Sequence, residues 1–127
     1  MLVLIFGNEN LGSDSLPLRI LSRLRQQFPD LNFAVKDPHE ELELSGEPFI
    51  IIDTAQGIKS TALFYDLASF VSPPRITSHD FDALIHLRYL EKIGRMPKIK
   101  IIGIPPTITE DEALKEVRDL LSRANQL

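Results

Sequence analysis

The sequence predicts an α/β fold: a single domain with a twisted, mostly parallel mixed sheet of about five strands and helices packed on its faces. Three observations carry that expectation. Continuous apolar runs of strand length stand at residues 1–6 (MLVLIF) and 49–52 (FIII), the isoleucine-rich 98–104 (KIKIIGI) gives a further strand, and runs apolar on both faces belong to parallel sheets covered on both sides. Between them lie stretches whose apolar residues recur at helical spacing. Turn and breaker residues mark nearly every junction.

Composition narrows the classes of function. With 127 residues, 43% hydrophobic and 25% charged, the chain is globular and large enough for one core, so residues 1–127 are read as one domain. Its formal net charge of −4 gives no basic surface to attract nucleic acid or an anionic membrane. Neither is expected as a partner. The absence of cysteine excludes disulfides, thiolate zinc sites and a cysteine nucleophile. No basic segment precedes the first apolar run, and no run approaches the roughly 18 residues of a membrane span. A cytoplasmic protein is the expectation.

Taken in order, residues 1–6 form a buried strand that the Gly7-Asn8 turn signal ends. The loop that follows has Gly7 and Gly12 at P-loop spacing, but Ser13-Asp14 replace the lysine and hydroxyl that would hold phosphate. Nucleotide binding is rejected. From residue 16 to 28, Ile20, Leu21, Leu24 and Phe28 fall on one face of a helix whose first turn suits Pro17. Pro29-Asp30 stops it, and Leu31, Phe33 and Val35 alternate as a half-buried strand. The acidic residues 37–43 read as a solvated connection or a partner-facing surface. Residues 49–52, behind Pro48, form a central strand ending at Asp53, and residues 61–65 a less apolar strand nearer an edge. Beyond Ser72-Pro73-Pro74, a helix carries Leu84, Leu87, Leu90 and Ile93 and ends at Gly94, with Thr77 or Ser78 as its N-cap. Residues 98–104 give the last strand, closed by Pro105-Pro106. Thr109 and Glu112 form a capping box for a final helix through Ala113, Val117, Leu120 and Leu121.

Three polar residues stand at the ends of these core elements, on what should be one rim of the sheet. Asp14 follows the first strand, Asp53 ends the central one, and His79 lies in a helical first turn, where the dipole disfavours its cationic form. Two carboxylates and a neutral imidazole can hold a divalent transition metal and leave positions open for water or substrate. Each also has an ordinary explanation. Asp14 can be a turn former or cap, His79 a surface histidine, and Asp53 an acid at a strand end that is solvated or paired; as a solvated rim ligand, Asp53 changed to alanine should leave folding nearly intact and abolish metal-dependent processing. His39 lies in the acidic connection, and His86, two helical turns from His79, has Asp82 as a helix-surface partner.

The ordered landmarks carry a resemblance. Gly7-Asn8, the acid at Asp14, Ile51-Ile52-Asp53, Ser78-His79 opening a helix, and the run Ile101-Ile102-Gly103-Ile104-Pro105-Pro106 together resemble the hydrogenase maturation endopeptidases over nearly the whole chain. The resemblance implies a sheet between helices. It also implies an enzyme that removes a C-terminal extension from the large-subunit precursor of a nickel-iron hydrogenase after nickel insertion. By motif, Asp14, Asp53 and His79 match that family's metal-contacting positions, with catalytic work falling to the same three. The nickel would travel with the substrate, and other divalent metals could occupy the site.

Two departures stand beside the likeness. Where the family has adjacent acids and then glycine, this chain has Ser13-Asp14 and then Ser15-Leu16-Pro17. The glycine-containing segment after the second strand, associated with substrate choice, is replaced by Asp37-Pro38-His39-Glu40. They keep open a second expectation, a non-catalytic metal-sensing or assembly module that retains the site. No G-x-S-x-G or H-E-x-x-H occurs, so serine-hydrolase and zincin routes have no support.

Overall fold

Five strands lie in one sheet in the order β2-β1-β3-β5-β4, the arrangement to which the apolar runs contribute its middle. The computed structural model describes residues 1–6, 15–36, 47–55, 58–65, 92–94 and 98–125. Among them are β1 (Leu2–Phe6), α1 (Leu16–Gln27), β2 (Asn32–Lys36), β3 (Phe49–Thr54), β4 (Ala62–Phe64), β5 (Ile99–Ile104) and α2 (Glu110–Asn125). β1 pairs in parallel with β2 and β3, β3 in parallel with β5, and β4 runs antiparallel on the edge of β5. The α/β class, the mixed sheet and the edge position of the fourth strand are as the sequence predicts. The helix expected before Gly94 lies outside the described residues, as does the acidic stretch 37–43. Gly94 itself takes φ +73, the left-handed conformation expected of a residue ending a helix.

The two faces of the sheet are separately apolar because side chains alternate along each strand. On one face Val3, Ile5, Ile50, Ile52, Ile102 and Ile104 pack against both helices. α1 contributes Leu16, Ile20, Leu21 and Leu24, and α2 contributes Ala113, Val117, Leu121 and Ala124, one stripe at helical spacing. On the other face Leu4, Phe6, Phe49, Ile51, Ile99 and Ile101 are buried with Phe64 and Ala55. Burying one such aliphatic side chain stabilises the fold by about 1.5–3 kcal/mol. The central strands are thus held from both sides.

Local signals set the helix ends. Pro17 sits in the first turn of α1, and the Phe28 N–H closes its last turn on the Leu24 carbonyl at 2.9 Å. α2 opens on the expected capping box: the Glu112 N–H donates to Thr109 Oγ1 at 3.1 Å, and the Thr109 N–H reaches Glu112 Oε1 at 3.4 Å. Three acids in its first turn oppose the positive end of the dipole. Long-range bonds then tie α2 to the sheet, Lys100 Nζ donating to the Ala124 carbonyl at 3.0 Å and the Thr61 N–H to Glu116 Oε1 at 2.8 Å. One expectation needs correcting. Val35, read as part of a half-buried alternation, is 48% exposed, because β2 is the edge strand of the sheet and Val35 stands near its end.

Candidate functional site

The strand order creates one place where a site is expected. From β1 the chain passes through α1 to β2 on one side of β1, whereas β3 pairs with β1 on the other side. The carboxyl ends of β1 and β3 therefore flank a topological switch point, the position at which open α/β sheets bind ligands. Asp53 stands there, in the next-to-last position of the middle strand. α1 must return the chain from that rim to the start of the parallel strand β2, so its first residues begin on the same rim. Ser15, the N-cap position of α1 and the residue joined to Asp14, is buried there.

Asp53 is more deeply placed than its sequence context implies. The strand does not end at it: pairing continues through Asp53↔Gly103 and Thr54↔Ile104, and the Ala55 N–H still donates to the Ile104 carbonyl at 2.9 Å. Asp53 has 0% exposure, which corrects the expectation of a solvated rim acid. Its Oδ1 accepts the Thr54 main-chain N–H at 2.8 Å. A carboxylate so enclosed meets a lower dielectric than surface acids do, and its interactions with a cation are correspondingly stronger. In-register neighbours share a sheet face, so the residues beside Asp53 on its face are Gly103 and, beyond it, Ala62, the smallest side chains of their strands. A glycine inside an apolar strand marks close approach of another group to the backbone. Gly103 is thus a signal in the sequence that could have marked this side of the site. Thr54, also fully buried, points to the opposite face, and its Oγ1 has no hydrogen-bond partner among the described residues. Nothing in the sequence singled it out.

Of the three candidate residues, Asp53 is the one the described structure places. Asp14 and His79 lie outside the described residues, as do His39 and His86. Among the described residues no three His, Asp or Glu side chains are grouped to hold a metal ion, and no helix is long and apolar enough to cross a membrane.

Comparison with known proteins identifies the fold and stops there. No family model matches the chain, and no curated protein matches it. A solved structure described as an uncharacterized protein from Wolinella succinogenes is similar to it with a TM-score of 0.55 and 15% identity, covering 98% of this chain and 94% of that one. At that identity the likeness shows a shared fold over nearly the full length of both chains.

Proposed function

We propose that this protein is an endopeptidase that removes a C-terminal extension from the large-subunit precursor of a nickel-iron hydrogenase once nickel is in place. The observation that supports the reading is the position of Asp53: a buried carboxylate on the middle strand, beside the switch point between β1 and β3. In this reading the nickel belongs to the substrate, and Asp14, Asp53 and His79 recognise it there, so that only a metal-loaded precursor is cut. Hydrolysis adds water across the scissile amide, breaks the C–N bond and releases a carboxylate and an amine. It requires a base to take the proton of water and a group to stabilise the oxyanion. A carboxylate of the site is suited to the first task.

The departures at Ser13 and at residues 37–40 favour a second reading, a metal-sensing or assembly module that binds the same precursor without cutting it. Incubating the protein with nickel-loaded and nickel-free precursor, and weighing the products by mass spectrometry, separates the two. The proposal expects a shortened large subunit from the nickel-loaded precursor alone, and none with Asp53→Asn. Stable association without shortening supports the second reading; neither association nor shortening rejects both.

A further inference from the structure

At the other end of the strands from Asp53, the sheet carries a cavity of about 510 Å3, within the range of small-molecule sites. Topology assembles it. β1, β3 and β5 are parallel and begin on this rim, while β4 runs the other way and ends on it. Met1, Pro48, Phe49, Lys98 and Tyr65, distant in sequence, therefore line one space. Phe49 is the first residue of β3 and Asp53 its fifth, a separation of about 13 Å along the strand, so this cavity is distinct from the site above.

Its lining has a definite chemistry. Phe49 and Ile99 form a buried apolar floor, and Met1 and Tyr65, 42% and 64% exposed, are large apolar side chains clustered at this one place. Singly scattered apolar residues need no explanation, but clustered ones mark a binding surface. In a chain of net charge −4, no Asp or Glu lines the cavity among the described residues, whereas two lysines do. Lys100 donates to the Ala124 carbonyl. The Lys98 ammonium has no hydrogen-bond or ion-pair partner among the described residues. Two backbone carbonyls beside the cavity are already paired, Met1 O with the Asn32 N–H at 3.0 Å and Lys98 O with the Phe49 N–H at 3.2 Å. An extended peptide laid there would find those two acceptors taken, whereas a hydrocarbon chain needs no hydrogen-bond partner.

We propose that this cavity binds a small amphipathic anion, an unbranched apolar chain ending in one carboxylate. The chain lies on Phe49 and Ile99 and the carboxylate meets Lys98. The test uses the full chain and calorimetric titration with decanoate, with decanol and decylammonium as neutral and cationic counterparts, all below their micelle concentrations. Decanoate is expected to bind with a Kd of about 1 mM or tighter. Decylammonium should bind about tenfold more weakly or not at all, because it meets an uncompensated ammonium. Lys98→Glu should weaken decanoate about tenfold while leaving decanol within about twofold, and Lys98→Gln should fall between. Thermal unfolding of both variants checks that an exposed substitution has left the fold intact. Absence of decanoate binding, equal binding of decylammonium, or indifference to Lys98→Glu would overturn the proposal. So would a dimer in light scattering that Tyr65→Ala dissociates, because the cavity would then belong to a second copy of the chain.

Discussion

Replacing Asp53 by asparagine and by alanine separates what its carboxyl group does for the fold from what it does for the site. Both variants lack the ionisable group, so the difference between them reports on the hydrogen bond and on the space the side chain fills. Asparagine retains an oxygen to accept the Thr54 N–H, which in the native chain donates to Asp53 Oδ1 at 2.8 Å. Alanine leaves that donor unsatisfied on a residue with 0% exposure. An orphaned buried donor costs about 1–3 kcal/mol, and the space left by the carboxyl adds to it. The asparagine variant should therefore be more stable than the alanine variant by at least about 1 kcal/mol in urea unfolding. At about 4 °C per kcal/mol for a chain of this size, its Tm should be higher by roughly 4–12 °C. Neither should process the precursor. Equal stability of the two variants would refute the buried hydrogen bond, and processing by either would refute the role of the carboxylate.

The other predictions concern the core, the cap and the histidine. Ile52→Ala, on the middle strand with 0% exposure and both helices packed on its face, should destabilise by about 2–5 kcal/mol in denaturant titration, with little change in the slope. Thr109→Ala should cost about 1 kcal/mol by removing the capping box of α2, measured the same way. Divalent-ion binding followed by calorimetry should weaken from about pH 8 to pH 5, since a ligand imidazole must be neutral and protons compete for it as pH falls. In His79→Gln that component should vanish, and an unchanged profile would remove His79 from the site.

Much of the fold was legible because the dominant signals are local. Most buried positions of β1, β3 and β5 carry apolar residues, and the Thr109–Glu112 spacing specifies its cap wherever the helix lies. The switch point was only half legible. Periodicity places Asp53 at the end of a strand, but the strand order that puts β1 and β5 on either side of it depends on long-range pairing. For the same reason its burial was missed: whether Gly103 and Ile104 continue the ladder past Ile52 cannot be read from the run FIII. The bond from Thr61 to Glu116 and the cavity between Met1, Tyr65 and Lys98 join segments far apart in sequence, where no spacing rule reaches.

The central claim is that Asp14, Asp53 and His79 form one site for a divalent ion. Anomalous diffraction from crystals grown with nickel tests it directly. The account predicts a single strong peak at the carboxyl rim between β1 and β3, contacted by Asp53, with the three side chains within about 8 Å of one another. A peak at the opposite rim, or Asp14 or His79 on the far edge of the sheet from Asp53, would contradict it.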